Sequence, residues 1–351
     1  MHDEMVNPPR DDSEFAELDA LAAANTRAFA RDELVACPAC RRTNAPTRMK
    51  CLYCGATLQV AAGAPDLRRP ALRPLEAWEQ GFNVVLLARA EDADELPDYA
   101  LHEAATLLRL EPGQLHKIIA ARTPLPLART ALAEEAALIE RKLAPLGLAC
   151  EIIADEALAV EAQPPQRVRR CEFTPDLLIA WASADSAPQT IAWAEIVLFV
   201  TGRISRRQIE VEEMRGRGGA SVVAETREFH ADEALLDIYA HEGLANLRVV
   251  ADSFDYTCLG AEKGLLAAEN FARLSAALRR RAPQAVFDSD YAALRHLLQA
   301  AWPIAEQTST GGLRRARPGR MNTEAVTSVS NETQFTRYGR LRRHFTLRAR
   351  T

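Results

Sequence analysis

The stretch CPACRRTNAPTRMKCLYCGATL, residues 37–58, contains two C-x-x-C pairs, Cys37/Cys40 and Cys51/Cys54. Ten residues separate the pairs, enough for one short hairpin that returns the second pair to the first. Four soft thiolates at one point form a ligand set for tetrahedral zinc. The expectation is a structural Zn(2+) held by Cys37, Cys40, Cys51 and Cys54, in a zinc ribbon spanning residues 35–60. A redox dithiol or another metal is the alternative. A disulfide framework fits less well, because Cys150, Cys171 and Cys258 are scattered and the opening MHDEMVNPPRDDSEF is acidic, unlike a secretory signal.

Outward from this module the chain changes character several times. Residues 1–34 read as a flexible acidic segment, with Phe15, Leu18 and Leu21 at the spacing of a short docking helix. Residues 61–80 read as a linker, stiffened by Pro65, Pro70 and Pro74. FNVVLL at 82–87 and Leu148–Ile153 read as buried strands. Between them lie helical stretches near 98–109 and 113–122, an extended segment forced by Pro124 and Pro126, and a helix after Thr130. The last has Leu132, Ala136, Ile139 and Leu143 on one face and is stopped by Pro145 and Gly147. The order β-α-α-α-β predicts a small α+β sandwich at 81–155.

Beyond Gln163-Pro-Pro165 short strands alternate with turns, predicting an antiparallel β domain over 166–284. It closes with a helix, 262–281, that carries Ala267, Phe271, Leu274 and Leu278 on one stripe. A further helix at 285–304 presents Leu294, Leu297, Leu298 and Trp302, and residues 305–351 form a basic, Arg-rich tail. The fold class is thus multidomain α+β. Net charge is -5 overall, but the segment from Gly311 onward holds ten arginines and two glutamates. That tail is +8 and everything before it is -13. An acidic body with a basic tail suggests an intramolecular clamp or an acidic partner. The longest apolar run, Ile191–Val200, is too short to span a membrane and contains Glu195. Ordinary composition without a membrane span predicts a cytoplasmic protein.

The cysteine-bearing segment resembles bacterial zinc-ribbon modules and the RanBP2-type zinc finger. The resemblance rests on C-P-x-C, Asn44 four residues on, C-x-x-C-G and Leu58 three residues after Gly55. It implies that the four cysteines are ligands and that Asn44 ties the hairpin through its side-chain amide. The chain departs from that family at Val35, where a Trp is usual. It departs also at Ala45, the position of an RNA-stacking aromatic, and at Arg41-Arg42, in place of the Thr-Phe pair that binds ubiquitin. Neither ligand is implied. Residues 81–155 are similar to the C-terminal domain of the ribosomal stalk protein in their apolar pattern, which implies fold and not factor binding. Residues 166–281 resemble a pleckstrin-homology-type barrel, an antiparallel run capped by a helix.

No catalytic constellation is apparent. His102-Glu103 and His241-Glu242 lack a second His at i+4, Gly216-Arg-Gly-Gly219 lacks the Lys-Ser/Thr of a phosphate loop, and there is no G-x-S-x-G elbow. Cys150, Cys171 and Cys258 read as small hydrophobes in strands, and Asp288 and Asp290 as helix-start residues. The expected function is a zinc-binding adaptor or regulatory protein, without catalysis, that meets a protein partner the sequence does not name. The alternative is a nucleic-acid-binding protein. Phe335, Tyr338 and Phe345 interleave with Arg337, Arg340, Arg342, Arg343 and Arg348, a composition that grips phosphates and stacks on bases. Arg340, Arg342 and Arg343 would be the contacts. The same composition suits docking onto the protein's own acidic body.

Overall fold

The computed structural model describes residues 29–59, 67–76, 79–90, 96–160, 162–215, 221–241, 246–317 and 320–350. The expected helix around Phe15 and the glycine-rich turn at Gly216 lie outside them. The chain divides after Arg69 into two compact units, and its folding is mixed α+β.

In the first unit, β1 (Val35–Ala36) pairs antiparallel with β2 (Thr43–Asn44), and Lys50 bridges to Thr57. Each pairing closes a hairpin around one cysteine knuckle. Among the described residues, the apolar core holds Cys37, Cys51 and Leu58, with Val35, Cys40 and Ala56 against it.

The second unit begins with β3 (Phe82–Leu86), whose residues 83–86 are buried. Helix α1 (Asp98–Leu108) ends on Arg109 in the left-handed region, φ 56°. Helix α2 (Pro112–Ala120) opens on a proline, whose missing N–H costs nothing at that position. The segment expected only to be extended is a full strand, β4 (Leu125–Thr130), antiparallel to β3. Pro126 is accommodated because β4 is an edge strand with a register shift opposite Val84 and Val85. Helix α3 (Ala133–Leu143) has acids in its first turn and bases in its last, matching the helix dipole. Its Ala136, Ile139 and Leu143 are fully buried, as the periodicity predicts. β5 (Cys150–Ala154) completes the sheet β4-β3-β5 and leads into the single-turn α4 (Asp155–Leu158). Part of the expected linker also joins this unit: the Ala71 amide donates to Glu135 at 3.1 Å, and Leu72 packs on the core.

The next strands are β6 (Gln166–Val168), β7 (Arg170–Phe173), β8 (Leu177–Trp181) and β9 (Gln189–Ala192). They are followed by two 20-residue strands, β10 (Ile196–Arg215) and β11 (Ser221–Ala240), then β12 (Leu247–Val250). The sequence breaks the long pair in two because their outer arm has no apolar alternation. Residues 226–232 are exposed on both faces, and the ribbon is extended by backbone pairing and by cross-strand ion pairs of Arg203 with Asp232 and Arg207 with Glu228. Helix α5 (Ala267–Arg281) buries Leu274, Ala277 and Leu278. β13 (Val286–Asp288) pairs with β10, and α6 (Tyr291–Leu294) is one turn long. β7, β8 and β9 form their own sheet, and a seven-stranded sheet takes the others. That larger sheet is mixed, not purely antiparallel, since β10–β13 and β6–β12 run parallel.

The C-terminal segment is more regular than its sequence periods suggest. β14 (Ala305–Arg317) and β15 (Arg320–Ser330) form a hairpin that extends the sheet through β10. Helix α7 (Glu332–Arg348) follows, with Phe335, Tyr338 and Leu341 fully buried. Its glycine is placed by packing: a Cβ at Gly339 would fall on the Tyr239 hydroxyl, with Tyr239 Cζ 2.9 Å away. Alanine at a helix interior normally gains about 1 kcal/mol over glycine, whereas overpacking a filled core costs about 1–3 kcal/mol. Gly339→Ala is therefore expected to destabilise the protein, by up to about 2 kcal/mol, read as a lower midpoint in urea denaturation; a higher midpoint would contradict this packing.

Candidate metal centre

The two knuckles share one backbone design. In the first, the Arg41 amide donates to the Cys37 carbonyl at 2.9 Å, and Cys37 N donates to Arg42 O at 2.9 Å. In the second, the Gly55 amide donates to the Cys51 carbonyl at 3.0 Å, and Cys51 N donates to Ala56 O at 2.8 Å. The residue after each second cysteine is left-handed, with φ 60° at Arg41 and 74° at Gly55. Glycine adopts this conformation freely, and arginine holds it at a cost.

This geometry brings together all four predicted ligands. The sulfurs of Cys37, Cys40, Cys51 and Cys54 lie within 4.8 Å of one another. Cys37 Sγ is 3.5 Å from Cys54 Sγ, and Cys40 Sγ is 3.6 Å from Cys51 Sγ. A tetrahedron with metal–sulfur bonds of roughly 2.3 Å has edges of roughly 3.8 Å, so the cluster could hold a metal ion. A bonded disulfide would need roughly 2.05 Å, and all seven cysteines are free.

Asn44 locks the two knuckles together, as the resemblance implies. It is 4% exposed. Its Nδ2 donates to Arg42 O at 3.0 Å and to Cys51 Sγ at 3.5 Å, while its Oδ1 accepts from the Leu52 amide at 2.9 Å. One side chain thus bonds the backbone of both knuckles and a sulfur of the cluster. Around the sulfurs, amides favour the thiolate. A hydrogen bond from the Cys40 backbone lowers the Cys37 thiol. Burial opposes ionisation of Cys51, but the amides of Tyr53 and Cys54 and the Asn44 side chain together bring it down to about 6. At Cys54 the Ala56 amide favours the thiolate, yet hydrogen bonds to the sulfurs of Cys37 and Cys40 keep the proton on, up to about 12. A cation entering the cluster would displace that shared proton.

The three arginines proposed as nucleic-acid contacts lie on α7 and are engaged by the second unit. Arg340 is 3% exposed and donates to the Gln163 carbonyl. Arg342 Nε pairs with Asp288 at 2.6 Å, and its Nη1 donates to Thr123. Arg343 Nε donates to Ala240 O at 3.0 Å. Asp288, expected at a helix start, sits instead in β13 at 3% exposure, where it accepts from the Tyr338 hydroxyl at 2.9 Å.

Sequence reading missed the buried ionic sites. Arg248 pairs with Asp237 through Nε and Nη2, both at 2.7 Å, and reaches Glu332 at 3.0 Å. Arg129 pairs with Asp155, both 8% exposed. A charged residue inside an apolar strand, as in Leu236-Asp237-Ile238 and Leu247-Arg248-Val249, is the one sequence signal that marks such a partner. Among the described residues, no helix is long and apolar enough to cross a membrane. Comparison with protein-family models, with curated proteins and with solved structures finds no match for the chain.

Removing an outer-shell partner of a metal ligand typically costs 10–100-fold in affinity. Asn44→Ala is expected to weaken metal binding by about that factor, measured by competition with a chromophoric chelator. An unchanged affinity would mean that Asn44 does not tune the cluster.

Proposed function

We propose that the protein is a zinc-binding adaptor or regulatory protein of the cytoplasm, without catalysis of its own, in which residues 35–60 form a zinc ribbon that docks a protein partner. The observation that carries the reading is the second knuckle. Cys51 and Cys54 turn their sulfurs into the cluster, while Leu52 and Tyr53 between them stand 64% and 54% exposed. The Arg42 guanidinium lies over the Tyr53 ring, 4.7 Å from its centroid. A metal that fixes the knuckle backbone would therefore also fix an aromatic, an aliphatic and a cationic side chain at one exposed point. Aromatic and arginine side chains are enriched where interfaces concentrate their energy.

Zinc is preferred to other metals on the chemistry of four thiolates and near-tetrahedral spacing. Its role would be structural. Four protein ligands leave no open position for a reacting water, and so small an apolar core needs a metal to fold. The alternative reading, nucleic acid held by the ribbon and by Arg340, Arg342 and Arg343, is weakened because those arginines already serve the fold.

Metal analysis of the purified protein should find one zinc per chain. Chelation should then abolish hydrogen-exchange protection within residues 35–59 and leave protection of β10, β11 and α7 unchanged. Loss of protection throughout the chain would overturn the independent module. The docking role is tested by Leu52→Ser/Tyr53→Ser: zinc content should be retained and capture of a protein partner from the native cell lost. Capture that is undiminished, or replaced by salt-sensitive nucleic acid, would refute it.

A further inference from the structure

Outside the four-sulfur cluster the second unit holds a further pair of thiols. Cys171 lies in β7, and Cys258 lies in the 3-10 segment Tyr256–Glu262 between β12 and α5. Sequence pattern assigns each to a strand of its own; the fold brings them together. Arg170 bridges in parallel to Asp255, and the Asp255 amide donates to the Arg169 carbonyl at 2.7 Å. The residues after these partners run side by side, and a 3-10 turn rising about 2 Å per residue carries Cys258 only a short way past them. Asp255 fixes the start of that turn by accepting from the Thr257 amide at 3.0 Å. Both cysteines pack in one apolar cluster with Leu274 and Leu278 of α5, and their thiols are hydrogen-bond partners. Neither is in a disulfide, so the pair is a dithiol.

The two members differ in access and in charge. Cys171 is 4% exposed, whereas Cys258 is half-buried. Their mutual hydrogen bond, and then burial, hold the proton on Cys171 and raise its thiol. The same bond lowers the Cys258 thiol against its burial, and the Cys258 amide adds to the lowering. The Arg281 guanidinium favours both thiolates and Asp255 opposes them. Arg281 is held beside β7 by the Phe173 ring, 4.5 Å from its centroid. Packing alone asks only for two small apolar side chains. An accessible thiol with thiolate character next to a sheltered second thiol is the arrangement in which one sulfur meets an oxidant and the other resolves it.

We propose that Cys171 and Cys258 form a reversible dithiol–disulfide site that responds to hydroperoxides, with Cys258 as the attacking sulfur and Cys171 as the resolving one. In the first step the Cys258 thiolate attacks a peroxide oxygen: an S–O bond forms, the O–O bond breaks, and hydroxide leaves. In the second the Cys171 sulfur attacks the Cys258 sulfenic acid: the S–S bond forms, the S–O bond breaks, and the hydroxyl leaves as water with the Cys171 proton. The two sulfurs together lose the electron pair that the peroxide gains. The disulfide staples β7 to the segment before α5, and a thiol reductant reverses it. The site belongs to the second unit and does not rest on the ribbon or on its metal.

The test treats the full chain, as purified, with hydrogen peroxide. Remaining thiols are blocked with N-ethylmaleimide, and tryptic peptides are read by mass spectrometry without reduction. Trypsin places the two cysteines in separate peptides, residues 171–203 and 249–263. The expected product joins these peptides, is lighter than their sum by a pair of hydrogens, and disappears with dithiothreitol. Cys150, whose thiol burial pushes up to about 12, should stay alkylated at the same dose. In Cys171→Ser, dimedone should trap a sulfenic acid on Cys258; in Cys258→Ser, Cys171 should stay alkylated. If either variant fails to fold, native-state alkylation of the unaltered chain takes its place, with Cys258 expected to react well before Cys171. The proposal falls if the joined peptides form only after unfolding in urea, if Cys171 is oxidised in Cys258→Ser as readily as in the unaltered chain, if Cys171 is alkylated before Cys258, or if a dose that oxidises free cysteine leaves both thiols alkylated.

Discussion

Two buried carboxylates, Asp237 and Asp288, hold the C-terminal third of the chain in place. They are 0% and 3% exposed, and a carboxylate taken that far from water is tolerated only with full hydrogen-bonding and a counter-charge. Asp237 receives two bonds from Arg248 and one from the Tyr239 hydroxyl at 3.0 Å. Arg248 passes the link to α7 through Thr336 at 2.9 Å and Glu332 at 3.0 Å. Asp288 receives the Tyr338 hydroxyl and Arg342, both from α7. The same contacts push the tyrosine hydroxyls well above their ordinary pKa, first through burial and then through the adjacent carboxylate. Removing one partner strands a buried charge, an effect of about 3–5 kcal/mol. The helix is thus an integral part of the unit.

A second polar chain unites the halves of that unit. Asn83 of β3 accepts from the Trp302 indole at 2.7 Å, and Gln334 of α7 donates to the Trp302 carbonyl at 2.7 Å. Tyr291 donates to Gln334 at 3.0 Å. These bonds run through one apolar cluster that includes Val84, Leu198, Trp302 and Phe335. The small α+β sheet and the long-stranded sheet therefore share a core. The first unit has nothing comparable. Among the described residues it buries three apolar side chains, below the size at which a core alone sustains a fold. What organises it is the cluster of four sulfurs and the Asn44 amide.

What the sequence discloses follows from how local each determinant is. The cluster of four cysteines, Asn44 and Leu58 were readable because knuckle geometry is set within a few residues of each cysteine. Strand β3 and helix α3 were readable because each buries one face in a regular period. β4 was half-visible: Pro124 and Pro126 excluded helix, but only the pairing with β3 makes a strand. The arm of β10 and β11 was legible only as separate short strands and the hairpin β14–β15 was hidden, since ribbons stabilised by backbone pairing need no apolar alternation. Helix α7 was hidden by its own composition. Phe335, Tyr338 and Leu341 at i, i+3 and i+6 mark its buried face, but five arginines and a central glycine obscure the period.

The charge asymmetry takes on a different meaning once those arginines are placed. A +8 terminus on a -13 body looks like a free basic arm, yet its charges on α7 are tied into the fold. Arg342 meets Asp288, Arg348 meets Glu151, and Glu332 at the head of α7 meets Arg167, Arg206 and Arg248. The clamp is intramolecular, and the acidic body is its partner. Self-neutralisation does not extend to Arg340. It is the most buried arginine on α7, its bonds go to the Gln163 carbonyl and the Asn246 amide, and its Nε has no hydrogen-bond partner. A surface arginine can leave its charge to water, whereas a buried one cannot.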